Sequence, residues 1–313
     1  MGKRWKRPIG RYRDGKAMNH FYIITNGHKD CRLEKTRDIR RYLESRNKKC
    51  TIQVKEPGKE QGYTDAAQIP EDVDCILVLG GDGTLLQAAR DIIKRDIPLL
   101  GINLGTLGYL AEIDEAGLEA AMDQLLDGEY EVEQRMMLTG RIVRGSIHQK
   151  KHRESGLPEY GIENSYALND IVITRSGSLQ IIRFRICVNG QFLNEYHADG
   201  VIVATPTGST GYNLSAGGPI VEPKAELILV TPISPHTLNT RSIILAPEDK
   251  IEIEIGEGRG ETVQQVEVNF DGSHNVMLYT GDKVEIERAE TTTGIVKLNK
   301  ASFLEVLHKK LSV

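Results

Sequence analysis

Cysteine is scarce and scattered. Cys31, Cys50, Cys75 and Cys187 form no C-x-x-C pair, which argues against a disulfide framework or a zinc knuckle and fits a reducing cytoplasm. Long apolar runs are missing too. The best candidates, Ile76–Leu79 and Leu227–Val230, fall far short of the roughly 20 residues a membrane span needs. No internal repeat or low-complexity segment is visible. Two well-known phosphate signatures are also absent: G-x-x-x-x-G-K-[ST] occurs nowhere, and a G-x-G-x-x-G would need glycine where Leu86 stands.

What remains is a globular composition, with 39% hydrophobic and 27% charged residues. At roughly 150 residues per domain, 313 residues imply about two domains. The net charge of −4 is uneven. Residues 1–17 hold seven Lys/Arg and one acid, a net +6, which leaves 33 basic and 43 acidic residues, a net −10, in the remainder. No apolar stretch follows the basic start, so a signal peptide is excluded. The segment reads as a disordered tail or as extra residues ahead of a start at Met18. An acidic body argues against nucleic acid as partner. His148 and His152 are four apart but lie in a basic stretch that would repel a metal cation.

Residues 18–130 alternate strand and helix signals. Phe21–Thr25, Cys50–Val54, Cys75–Leu79 and Pro98–Ile102 read as strands; 33–43, 84–95 and 118–126 read as helices. This order predicts a parallel sheet covered by helices. Residues 131–298 carry short alternating or β-branched segments separated by Gly, Pro and Asn, including Asp170–Thr174, Ile181–Val188, Val201–Ala204, Ile251–Ile255 and Val284–Glu287. They predict a mostly antiparallel β domain. The polar stretch 145–163 reads as an extended loop. Residues 299–313 form a C-terminal segment with a short helix over 302–310, expected to pack back on the first domain.

Three glycine-rich segments carry the chemistry. Gly80-Gly81-Asp82-Gly83-Thr84 follows a buried strand and precedes a helix, where an open α/β sheet binds ligands. Its glycines let backbone approach a phosphate, and the helix N-terminus offers free N–H groups. Asp82 is the unusual member. Beside phosphates a carboxylate would be repelled, unless it binds a metal or takes a proton from an attacking hydroxyl; alternatively it caps the helix. A second loop, Gly101 to Tyr109, leaves the next strand at the same sheet edge. The third, Thr205-Pro-Thr-Gly-Ser-Thr210-Gly211-Tyr212-Asn-Leu-Ser215, concentrates hydroxyls and glycines and reads as a ligand loop or a mobile surface turn. It narrowly misses a G-x-S-x-G nucleophile elbow, because Thr207 stands at the first glycine.

Together these segments resemble the NAD kinase family, of the bacterial type that uses ATP or polyphosphate. The resemblance rests on Gly80–Thr84, Gly101–Tyr109, Asn169-Asp170, Asp199-Gly200 with Thr205–Thr210, Ser234-Pro-His-Thr-Leu238 and Asp271-Gly272. It spans nearly everything from Met18 onward. Gly-Gly-Asp-Gly-Thr alone is shared with lipid kinases; the run from Thr205 to Asn213 is far more specific. Many relatives have Ala at Gly211, and some have Arg at His197.

The resemblance implies a Rossmann-like α/β domain followed by a β domain, with the active site between them. It implies transfer of the γ-phosphoryl of ATP to the 2′-hydroxyl of the adenosine ribose of NAD, in a cytoplasmic homodimer or homotetramer. Asp82 would be the catalyst, and Gly80, Gly81, Gly83 and Thr84 the phosphate loop. Asn169 and Asp170 would hold adenosine and ribose hydroxyls; Thr210, Gly211, Tyr212 and Ser215 would line the adenine and 2′-oxygen region. Asp199 would reach the nicotinamide end, with Gly83, Tyr109 and His197 completing the NAD-binding set. Mg²⁺ or another divalent cation would arrive with ATP, without a dedicated protein cage. Asp271-Gly272 reads equally as a hairpin turn. The rival readings are a lipid kinase and a non-catalytic nucleotide sensor.

Overall fold

A computed structural model describes residues 17–55, 64–105, 108–111, 113, 117–147, 164–177, 180–237, 241–298 and 302–311. The basic start lies outside these residues except for Ala17, as do His148, His152 and all but 145–147 of the expected extended loop. In chain order come β1 (His20–Asn26), α1 (Glu34–Ser45), β2 (Lys49–Lys55), β3 (Cys75–Gly80), α2 (Asp82–Asp91), β4 (Leu99–Asn103) and α3 (Leu118–Asp127). Then follow β5 (Glu131–Val143), β6 (Ser165–Ala167), β7 (Asp170–Arg175), β8 (Ile182–Val188), β9 (Gln191–Ala198) and β10 (Gly200–Ala204). The chain ends with β11 (Ile228–Ile233), β12 (Ile243–Leu245), β13 (Ile251–Ile255), β14 (Gln265–Phe270), β15 (His274–Tyr279), β16 (Lys283–Lys297) and α4 (Phe303–Leu311).

The chain divides into two compact units: one is the part up to Gln134 together with the segment from Thr293, the other is Arg135–Thr292. In the first, β2-β1-β3-β4 form a parallel sheet, and Ile295 of β16 pairs in parallel with Leu99 beside β4. Every residue of β3 and β4 is buried, as a parallel sheet covered on both faces requires. Helix α1 contributes Thr36, Ile39 and Leu43 on one face, and α3 stops at Gly128, whose φ of 78° suits glycine. Thr25 pairs with Leu79 and Gly80 with Asn103. That register delivers the loops after β1, β3 and β4 to one sheet edge.

Helix α2 corrects the expected span 84–95, starting at Asp82 and ending at Asp91. Beyond it, the Arg95 guanidinium donates to the carbonyls of Ala66 and Ile69 at 2.8 and 2.9 Å and of Pro70 at 3.0 Å. These bonds hold the chain in turns where the apolar pattern would continue a helix.

In the second unit, β12-β11-β10-β7-β14-β15 form one antiparallel sheet, and β16-β13-β8-β9 form antiparallel partners in another. Strand β13 alternates buried and half-buried residues, facing a core shared with Phe184, Val203 and Phe270. Strands β10 and β11 are buried throughout. Their second face packs under Ala216, Val221 and Leu227, which fixes the segment after the hydroxyl-rich loop. No described helix is long and apolar enough to cross a membrane.

Candidate active site

Asp82 is the first residue of α2, and Gly81 caps that helix without a side-chain bond. The carboxylate therefore does not cap. It turns to the second glycine loop, where Oδ2 accepts the Tyr109 N–H at 2.7 Å and Oδ1 accepts from Leu110 and Ala111 at 3.2 and 3.3 Å. Three donors from one loop fix the orientation of an acceptor-only group. Gly108 permits this, because a Cβ there would overlap the Asp82 carboxyl group.

The remaining bonds of this edge join the loops. The Leu104 N–H donates to the Gly80 carbonyl at 2.9 Å, and Asn103 Nδ2 donates to the Gly105 carbonyl at 2.7 Å. Thr84 is buried, and its Oγ1 accepts from Asn26 Nδ2 at 3.3 Å. Gly80 lies too close to the Thr84 side chain for any Cβ, whereas Gly83 faces open space. The Lys310 ammonium stands 4.6 Å from the centre of the Tyr109 ring, a cation–π contact.

In the second unit the organising residue is Asp271. Its carboxylate accepts the N–H groups of Leu168, Asn169 and Asp170 at 2.9, 2.8 and 3.2 Å. Asp271 and Gly272 have φ of 50° and 66°, the left-handed pair of a tight hairpin joining β14 to β15. Asp271-Gly272 is thus a hairpin turn and an anchor for Asn169-Asp170 at once. Asn169 Oδ1 is buried without a hydrogen-bond partner, a cost that a bound donor would remove. Asp170 is buried, and its carboxyl is pushed up to about 7, first by desolvation and then by the Asp271 carboxylate.

The hydroxyl-rich run is not a mobile turn. Thr205 Oγ1 donates to the Leu168 carbonyl at 2.6 Å and accepts the Gly208 N–H at 3.1 Å. Ser209 Oγ bonds both backbone groups of Val221. Buried Asn213 donates to the Ser209 and Pro219 carbonyls and accepts from Thr231. These side chains stabilise their own loop, leaving Thr210 and Gly211 half-buried and Tyr212 and Ser215 exposed. Gly208 lies against the Asn169 carbonyl, where a Cβ would overlap it. A Cβ on Gly211 would stand 3.4 Å from Asn169 Nδ2 and 3.9 Å from Asp170 Oδ2.

Asp199 precedes β10, and its carboxylate pairs with Arg175 Nε at 3.2 Å. Because Gly200 pairs with Thr174 and Ala204 with Asp170, Asp199 and Asp170 occupy opposite ends of paired strands. At about 3.4 Å per residue the five steps between them span roughly 17 Å. His197 is exposed on β9, its carbonyl taking the His236 N–H at 2.8 Å. The fold thus gathers Asp82, Tyr109 and the Gly80–Thr84 loop in the first unit. In the second it gathers Asn169, Asp170, Thr210 and Gly211, with Asp199 and His197 set apart from them. Among the described residues no group of three or more His, Cys, Asp or Glu could hold a metal ion.

Residues 23–130 match the family "ATP-NAD kinase N-terminal domain", and residues 168–298 match "ATP-NAD kinase C-terminal domain". The chain belongs to the NAD kinase family. An NAD kinase of Lachnospira eligens is 43% identical over 94% of this chain and 100% of its own length. Another, of Lachnoclostridium phytofermentans, is 45% identical over 94% and 99%. Among solved structures, an Archaeoglobus fulgidus NAD kinase in complex with ATP superposes with a TM-score of 0.71 at 25% identity, over 94% of this chain and 99% of that one. The yeast NADH kinase complexed with NADH shares the fold, with a TM-score of 0.71 at 23% identity over 98% and 92%.

Members of the NAD kinase family are phosphotransferases, and the α/β and antiparallel β parts expected from the sequence are both present. Sequence reasoning missed Asn26, which ties the loop after β1 to Thr84, and Arg175, which pairs with Asp199. Asn26-Gly27 at a strand end was the available signal for the first. Arg175 had none, since its partner Asp199 lies 24 residues further along the chain.

Proposed function

We propose that this chain transfers the γ-phosphoryl group of ATP to the 2′-hydroxyl of the adenosine ribose of NAD, giving NADP. The observation that carries the assignment is the Asp82 carboxylate, oriented by three backbone donors at the joint of two glycine loops. Phosphoryl transfer passes through a loose transition state, so placing reactants and balancing charge supply most of the rate. In this reading Asp82 directs the 2′-hydroxyl and accepts its proton. The Gly80–Thr84 loop carries the donor phosphates through backbone N–H groups.

Asn169 Oδ1 and the Asp170 carboxylate accept the ribose hydroxyls, and Tyr109, Thr210, Gly211, Tyr212 and Ser215 border the adenosine. Asp199, held by Arg175, meets the nicotinamide end, and the roughly 17 Å between Asp199 and Asp170 suits an extended dinucleotide. His197 contacts nucleotide phosphates in a homodimer or homotetramer. The divalent cation, Mg²⁺ or another, enters on the ATP phosphates and neutralises their charge, its other ligands being water. Polyphosphate is a second donor, and the enzyme works in the cytoplasm.

The deciding experiment offers purified protein ATP and Mg²⁺ with NAD, NADH or a diacylglycerol, and measures NADP(H) and phospholipid. NADP that forms with the wild type and disappears with Asp82→Asn is expected. A folded wild type that makes no NADP, or makes phospholipid instead, overturns the assignment.

A further inference from the structure

The glycine loops meet a side chain that no motif includes. Lys29 follows β1 in Gly27-His28-Lys29-Asp30, and two anchors fix the backbone around it. The N–H groups of Lys29 and Asp30 both donate to the Asn26 carbonyl at 3.0 Å. Asn26 in turn bonds Thr84 through Nδ2 and accepts the His28 N–H on Oδ1 at 3.0 Å. On the other side, buried Asp30 accepts the Thr36 N–H and hydroxyl at 2.9 and 2.7 Å. The loop is therefore tied both to α1 and to the Gly80–Thr84 segment.

From this fixed base the exposed Lys29 side chain reaches across both glycine loops. Its ammonium lies 2.7 Å from where a Cβ of Gly81 would stand and 3.7 Å from that of Gly105. It takes the room a side chain at Gly81 would need and lies within ordinary contact of Gly105, and it pairs with no carboxylate among the described residues. A lysine serving only solubility extends its head into water; this one lies in the notch that the backbones of the two loops share. The surrounding body carries a net −10, so an anionic donor gains from a fixed cation here.

We propose that Lys29 binds the terminal phosphates of the donor, ATP or polyphosphate, above Gly81 and Gly105, and balances charge on the transferred group. The inference rests on the reading that these loops carry the donor. In the transfer the 2′-oxygen forms a bond to the γ-phosphorus, and the bond from that phosphorus to the bridging oxygen breaks. ADP keeps the electron pair and Asp82 takes the hydroxyl proton, so Lys29 exchanges neither proton nor bond. Its contribution is a point charge, as a compact ammonium provides.

The test uses full-length Lys29→Ala, Lys29→Gln and Lys29→Arg. Losing a charge-assisted contact to phosphate should raise KM for ATP about tenfold or more in the Ala and Gln variants. KM for NAD should stay within about twofold of wild type, and Arg should restore part of the loss. Binding of magnesium tripolyphosphate, followed by calorimetry, should weaken in parallel. That measurement needs no turnover, so it decides the role of Lys29 even if the wild type makes no NADP. Unchanged tripolyphosphate affinity and unchanged KM for ATP in a Lys29→Ala protein that melts like wild type would overturn the proposal. If wild type makes NADP and Lys29→Ala behaves identically, Lys29 falls and the assigned reaction stands.

Discussion

Asp82 in the first unit and Asp170 in the second are both carboxylates beside a glycine-rich loop, yet they are supported in opposite ways. Asp82 itself receives three backbone N–H groups. At Asp170 an equivalent set of three goes to its neighbour Asp271, and Asp170 is left buried beside that second charge. In the proposed reaction the first cradle holds the acting group itself; the second holds the backbone from Leu168 to Asp170 and leaves the Asp170 carboxyl outside it. A cradled carboxylate is fixed in position, as proton removal at a set distance requires. An uncradled buried one keeps open valences, as binding of hydroxyl groups requires.

The largest expected effect comes from breaking the first arrangement. Asp82→Asn should lower kcat at least about 100-fold, while KM for NAD and ATP changes little and the protein remains folded. If KM rises instead and kcat survives, Asp82 is a loop anchor and the contrast with Asp170 dissolves. Gly108→Ala asks the same question without touching the carboxylate. A Cβ at 108 would overlap the Asp82 carboxyl group, so the side chain must leave its cradle. A loss of at least about tenfold in kcat is expected, with roughly 1–3 kcal/mol of stability lost through unmet donors. Steady-state kinetics and thermal melts on both variants decide it.

How much of this was legible in the sequence follows the range of each interaction. The order of strands and helices was readable because burial of β3 and the spacing of Thr36, Ile39 and Leu43 are local patterns. The Gly80–Thr84 loop was readable because it sits between such elements. The partners of Asp82 were not, since they come from a later loop; the helix-capping alternative was the nearest local reading. Strand β16 shows the same limit. Its first residues alternate as an antiparallel strand, while Ile295 pairs with Leu99 of the parallel sheet, and nothing near Ile295 announces that partner. The hydroxyl-rich run misled differently. Its composition suggested many donors for a ligand, but Thr205, Ser209 and Asn213 are committed to their own backbone.

Asp170 gives the second unit a pH signature. Its carboxyl titrates near 7 when folded and at about 3.9 when unfolded, so between these values the folded chain holds a proton that the unfolded chain releases. The stability linked to it is complete below about pH 4 and is lost as pH rises through about 7. Asp170→Asn cannot ionise, so it should gain on wild type by about 4 kcal/mol at most between about pH 4 and pH 8. Melting curves of both proteins across that range measure the gap, and parallel curves would refute the buried carboxyl. Function runs the other way. In the proposed binding mode protonation removes an acceptor for ribose hydroxyls, so wild-type KM for NAD should rise as pH falls below about 7, and Asp170→Asn should show a raised but flat KM.

Gly211→Ala should have the smallest effect. The residue borders Asn169 and Asp170, and Gly208 in the same loop tolerates no side chain. Gly211, however, has a negative φ of −91°, outside the left-handed region that favours glycine. Its Cβ would stand 3.3 Å from the Gly208 carbonyl and 3.4 Å from Asn169 Nδ2, close but short of overlap. A methyl group there should change stability by less than about 1 kcal/mol and KM for NAD by less than about threefold. Gly208→Ala is the control from the same loop, since its Cβ would overlap the Asn169 carbonyl. It should displace Asn169 and raise KM for NAD about tenfold or more. Similar behaviour of the two variants would mean that contact with Asn169 does not set NAD affinity, and the second unit's platform would lose its assigned part in binding.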